Sequence, residues 1–216
     1  VADILDEVLN DAKDEKKLIL FRKLLPIIII FTIVIAIAIA TYTLYTNKKA
    51  EHNRKIGDMF VEIISGEYGD NATIISALKD LVDTSENRQA ELADLEIASK
   101  LIAENNSTEA LQALEAIINN TEYYELTTSF ARLLWIGLIL DEEKLSDTMQ
   151  MQSRNYLQYF AQEDQPFFAT ATLMKALFYK KNKQNDLAVE YVNVVLNLQD
   201  ATLILKEQAR AILASI

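Results

Sequence analysis

Twenty-three consecutive residues without a charge, Leu24 to Thr46, constrain this chain more than any other feature. As a helix rising about 1.5 Å per residue the run spans roughly 34 Å, slightly more than the ~30 Å hydrocarbon layer of a bilayer. Its β-branched isoleucines make a poor helix in water. In lipid, however, each backbone N–H and C=O must be paired within the segment, which leaves helix as the single-segment solution. Pro26 suits a first turn, where it costs no intrahelical hydrogen bond. Lys16, Lys17, Arg22 and Lys23 precede the run, Lys48, Lys49, Arg54 and Lys55 follow it, and Tyr42 and Tyr45 fall at interfacial depth. The expectation is one retained membrane anchor. A cleaved leader is the alternative, since Ala36-Ile37-Ala38 and Ala38-Ile39-Ala40 have the small-x-small form that signal peptidase accepts. Against it, the preceding arm is rich in acid and the core exceeds the usual length of about 7–15 residues.

The chain then divides into an arm (1–23), a transmembrane helix (24–46) and a large domain (47–216). The arm sets Ile4, Leu5, Val8, Leu9 and Ala12 at helical spacing, an amphipathic face able to meet its own anchor, the interface or a partner. In the span, Thr32, Ala36 and Ala40 recur every fourth residue, and small side chains at that spacing permit close approach of another membrane helix.

Charge and composition exclude whole classes of function. The chain carries 21 basic and 32 acidic residues, a net −11, and nearly all of that excess lies beyond the span. Phosphate contacts need a basic surface, so nucleic acid is excluded as the main ligand, and lying on anionic lipid is disfavoured. With no cysteine there is no disulfide, thiolate metal site or cysteine nucleophile. Four glycines and two prolines leave no Gly-rich phosphate loop and too few turn residues for a strand-rich fold.

Helix remains. Apolar residues at i, i+3, i+4 and i+7 predict helices near 48–65, 71–84, 88–104, 107–120, 126–140, 146–161, 167–181, 184–198 and 201–214. The polar breaks are short, so neighbouring helices should run antiparallel. Ser107 and Asn185 are candidate caps, and Pro166 is expected to start a helix at Phe167. Two helix pairs overlay: Ala98, Leu101 and Ala110 match Ala176, Tyr179 and Ala188. A small residue at a crossing lets two helix axes approach, and the larger one a turn later fills the groove beside it. Gly137 and Leu140 fall halfway, 39 residues from each, with Met149 in place of the second alanine.

This pattern resembles the tetratricopeptide repeat, with Ala176 at its glycine position, Tyr179 at its tyrosine and Ala188 at its second-helix alanine. The 39-residue spacing exceeds the usual ~34, Asp200 stands where proline is common, and a HEAT-like or irregular solenoid stays open. The whole layout is similar to the bacterial ancillary Sec translocon subunits. The similarity is carried by Ala50-Glu51-His52-Asn53-Arg54, by Ala90 to Ala98, and by Glu109 to Leu114. That resemblance implies an all-α chain in the bacterial inner membrane, with a cytoplasmic N-terminus and a periplasmic tetratricopeptide-like solenoid of antiparallel helix pairs. Its implied partners are translocon subunits, periplasmic chaperones or exported chains.

No residue pattern recommends catalysis, a cofactor, a metal or a small-molecule substrate. His52 is the single histidine and sits among the cations that flank the span. Asp141-Glu142-Glu143 is the densest acidic cluster, but adjacent side chains do not converge as ligands must. The expected function is a non-catalytic, membrane-anchored protein-interaction scaffold. A tethered adaptor in another envelope complex and a membrane-anchored hydrolase are the alternatives.

By the same resemblance, the first helix of each pair lines the docking groove. That assigns Ala131, Leu134, Leu138 and Glu142 in the middle pair, and Thr170, Leu173, Leu177 and Lys181 in the last. The competing reading covers this strip with a neighbouring repeat or with the terminal helix near 201–214.

Overall fold

The structure is a computed structural model that describes residue 39 and residues 41–65, 69–85 and 87–216. Among them are nine helices and no strand: α1 (41–64), α2 (Asn71–Thr84), α3 (Asn87–Ala103), α4 (Ser107–Asn119), α5 (Glu125–Asp141), α6 (Asp147–Tyr159), α7 (Phe168–Lys181), α8 (Asn185–Asn197) and α9 (Leu203–Ala214). The expected arm, the span up to residue 38, and the stripe of Thr32, Ala36 and Ala40 lie outside the described residues. Among those described, no helix is long and apolar enough to cross a membrane. The chain separates into two compact units, 1–55 and 56–216. Residues 41–55 of the first are helical, with Tyr42, Leu44 and Tyr45 exposed.

The second unit is a succession of antiparallel helix pairs, each helix from α2 onward packed on the next. Ile56 and Ile63 pack with α2 and α3 through Ile74, Leu78, Leu81 and Ile97. Leu114 of α4, Trp135 and Ile136 of α5, and Phe178 of α7 share a second cluster. The row is closed by α9, whose Ala209 and Ile212 join Leu173, Ala176, Val192 and Val195. Each fully enclosed aliphatic or aromatic side chain stabilises the fold by about 1.5–3 kcal/mol, which is the main force holding a cysteine-free domain together.

Side-chain chemistry sets the helix ends. Asp70 caps α2 by accepting from the Thr73 N–H at 2.9 Å, and Ser146 caps α6 by accepting from the Met149 N–H at 3.2 Å. Two expected caps are displaced by one residue: Asn106 rather than Ser107 precedes α4, and Gln184 rather than Asn185 precedes α8. The cause is the turn before each. Asn105 (φ 57°) and Lys183 (φ 59°) are left-handed, and the N–H of the next residue reaches back to Leu101 O and Tyr179 O at 3.0 and 2.9 Å. These are Schellman turns, so Asn106 and Gln184 both finish one helix and begin another. Helix α7 likewise starts at Phe168 instead of Phe167, which is itself left-handed (φ 64°). That conformation costs roughly 1–2 kcal/mol, and it sets the Phe167 ring 5.9 Å from that of Phe130.

Asn105 and Lys183, the left-handed residues of the two Schellman turns, stand at the same offset, 78 positions, as the matched alanines, and Ala98, Ala110, Ala176 and Ala188 are all fully enclosed. Burial repeats with them: Ala93 and Ala171, Leu114 and Val192, and Ile117 and Val195 are each at most 1% exposed. The α5–α6 pair departs from this pattern. Gly137 is half-buried, and a Cβ there would meet only Met174 Cε at 4.0 Å, so no tight crossing depends on it. Helix α5 also ends in extended backbone at Glu142 instead of a left-handed turn.

Candidate functional site

One face of α7 carries Phe168, Thr172, Lys175 and Tyr179 at i, i+4, i+7 and i+11. They floor a cleft of about 490 Å³, walled by Arg154, Leu157 and Gln158 of α6 and by Tyr191 and Val194 of α8. The matching face of α3, 78 residues earlier, has Ile97 and Leu101, and α2 covers it with Ile74, Leu78 and Leu81. Helix α6 precedes α7 as α2 precedes α3, but packs on it far less closely. The space that α2 fills in the first case is left open in the second.

A lysine thus occupies a position where the earlier pair has a core isoleucine. Lys175 is only 9% exposed, and its Nζ donates to Phe160 O, at the carbonyl end of α6, at 2.5 Å. The rings of Tyr191 and Phe168 lie 5.7 and 6.0 Å from the ammonium. Burial alone lowers its pKa, with no acidic partner offsetting the cost. Beside it, Thr172 is 1% exposed and its Oγ1 has no hydrogen-bond partner. Tyr179 and Tyr191 stack at 5.4 Å and 4°. Burial, more than the nearby Tyr179 and Glu190, raises the Tyr191 phenol above its ordinary range. An ammonium has three donors and one is used here, so the cleft offers spare donors and aromatic walls to an anion with an apolar body.

The expected groove residues lie on another face of α7 and on α5. Ala131 is fully enclosed, and Leu173, 6% exposed, is sealed between α7, α8 and α9. Leu134 and Leu138 are half-buried against the central clusters, and Thr170 is half-buried. Lys181 donates to Leu140 O at 2.8 Å and to Glu142 O, holding the carbonyl end of α5. Leu177, 36% exposed, is the most open of the set.

A second arrangement surrounds the start of α5. Tyr124 (55%), Leu126 (56%) and Phe130 (41%) are exposed, the last two one turn apart on the helix. Glu91, only 3% exposed, accepts from the Tyr124 N–H at 3.2 Å and the Thr127 hydroxyl at 2.6 Å. Arg88 lies 4.9 Å from the Tyr124 ring, and Arg132 lies 4.2 Å from that of Tyr159. The neighbouring aromatics are core: Trp135 meets Tyr156 edge-on at 5.0 Å and donates to Glu115. His52 is exposed on α1, as are Asp141 and Glu143 around the C-cap residue Glu142.

Sequence reasoning passed over the cleft. Its signal was a lysine at an apolar register position, one turn after a threonine and flanked by two aromatics on the same face.

A family model described as "Protein of unknown function (DUF2659)" matches residues 1–216. "Uncharacterized protein RP231" of Rickettsia prowazekii (strain Madrid E) is 34% identical over 218 residues, covering 100% of this chain and 99% of the relative. No solved structure matches.

Proposed function

The chain belongs to that family, and we propose that it is a non-catalytic, membrane-anchored scaffold that holds protein partners near the bilayer, associated with the Sec translocon and periplasmic chaperones during export. The observation that carries this reading is the open edge of α5. Tyr124, Leu126 and Phe130 face solvent while Ala131, Trp135 and Ile136 of the same helix are core. Two exposed aromatics, Tyr124 with Arg88 over its ring and Phe130 beside Phe167, at the edge of a helix pair have the composition of interaction hot spots. The buried Glu91 fixes the backbone of this edge, so its side chains are held ready for a partner instead of being ordered on binding.

The helix pairs are read as tetratricopeptide-like, with α3–α4 and α7–α8 the regular repeats and α9 a cap. Leu24 to Thr46 is read as the anchor, with the helical domain on the periplasmic side of a bacterial inner membrane. Crosslinking in intact membranes, with identification of the captured chains, tests the proposal. Translocon subunits or export chaperones are the expected products. Subunits of a different envelope complex would shift the reading to a tethered adaptor, and no protein adduct would contradict it.

A further inference from the structure

We propose that the cleft between α6 and α8 binds a carboxylate carried on an apolar or aromatic body, with the carboxylate on Lys175 Nζ and Thr172 Oγ1 and the body against Phe168 and Tyr191. As to the source of that group, the inference rests on the scaffold reading, which makes it the C-terminal residue of a partner chain.

The first ground is the register. The equivalent residue of the first pair, Ile97, shows that this position packs as an aliphatic when a helix covers it, and here it is a lysine, 9% exposed, with no carboxylate among the residues that line the cleft. Burying an ammonium without a counter-charge is costly, and the Phe160 carbonyl at the end of α6 offsets only part of that cost, whereas an anion bound beside it would offset more. The second ground is Thr172, enclosed yet unpartnered, one turn from Lys175 on the same face. A buried hydroxyl without a partner is destabilising unless something occupies its donor.

Charge and shape then narrow the ligand. Of the two cations that line the cleft, Arg154 is exposed to solvent and only Lys175 is buried, so the enclosed part balances one negative charge, which favours a carboxylate over a dianion. The remaining walls are aromatic and aliphatic, with Arg154 and Gln158 the polar members of α6. The volume falls within the range of about 300–1,000 Å³ common to small-ligand sites.

The test uses the full chain in detergent and isothermal titration with three compounds: the peptide acetyl-Gly-Ser-Leu-Phe with a free C-terminus, its C-terminal amide, and 3-phenylpropanoate. The free-acid peptide should bind, and amidation should weaken it at least tenfold. Lys175→Met should cause a similar loss and Thr172→Val a several-fold loss, with each ligand-free variant melting at or above the wild-type temperature, since each replaces an uncompensated buried polar group by an apolar one. If Lys175→Met fails to fold, the acid-against-amide comparison and Thr172→Val still decide. Lysine-dependent binding of 3-phenylpropanoate without binding of the peptide would support the same chemistry with a free small acid as its source. Equal affinity for acid and amide, or no binding of either acid at millimolar concentration, overturns the proposal. The scaffold reading survives that failure if crosslinks at the α5 edge persist, and their loss counts against the scaffold whatever the cleft binds.

Discussion

Tyr123 donates its phenol proton to Asp94 Oδ2 at 2.6 Å, tying the turn between α4 and α5 to the middle of α3. Burial raises the Asp94 carboxyl above its ordinary range, and the Tyr123 hydrogen bond opposes that shift. Tyr123→Phe keeps the ring but leaves the carboxylate without this donor. It should cost about 1–2 kcal/mol in chemical denaturation.

The same pair predicts an alkaline limit. Burial first, then the hydrogen bond to Asp94, holds the Tyr123 phenol well above the ordinary value near 10. Above pH ~10 the unfolded phenol ionises while the folded one keeps its proton, so the folded state binds more protons and stability falls as pH rises. Denaturation curves between pH 9 and 11 should show this loss in the wild type and a shallower one in Tyr123→Phe.

Glu91 supports the edge of α5 from beneath. Glu91→Ala would orphan the Tyr124 N–H and the Thr127 hydroxyl, and should cost roughly 2–4 kcal/mol. Glu91→Gln, which keeps one acceptor, should cost less. Thermal melts of the two variants check the order.

Leu173 and Leu177 lie one turn apart on α7 but differ in environment. Leu173 is enclosed by α8 and α9, so Leu173→Asp buries a charge and should lose several kcal/mol. Leu177 is 36% exposed, and Leu177→Asp should stay within about 1 kcal/mol of wild type. Equal melting temperatures for the two variants would contradict this placement.

Much of the helical layout could be read from the sequence because apolar periodicity and polar breaks coincide here. The expected 71–84 matches α2, and 88–104 lies within one residue of α3 at each end. The expected 146–161 and 201–214 run up to two residues past α6 and α9, and the caps are misplaced where one residue serves two roles. At Asn106 and Gln184 a Schellman turn joins directly to a cap, and at Phe167 a ring contact outweighs the proline signal. Tyr123 and Tyr124 separate as adjacent helix-start residues should, one half-buried and one exposed. The cleft was not legible in this way. Its existence depends on how closely α6 approaches α7, a packing outcome that no local pattern encodes; the sequence carries only a lysine in the middle of α7 at an apolar register position.

The most direct test of the scaffold account is a photo-crosslinking amino acid placed at Phe130 and, as a control, at the exposed Ser99 of α3, in intact membranes. The account predicts discrete protein adducts from Phe130, weakened by Glu91→Ala, and none from Ser99. Identical adducts from both positions, or none from Phe130, would contradict it.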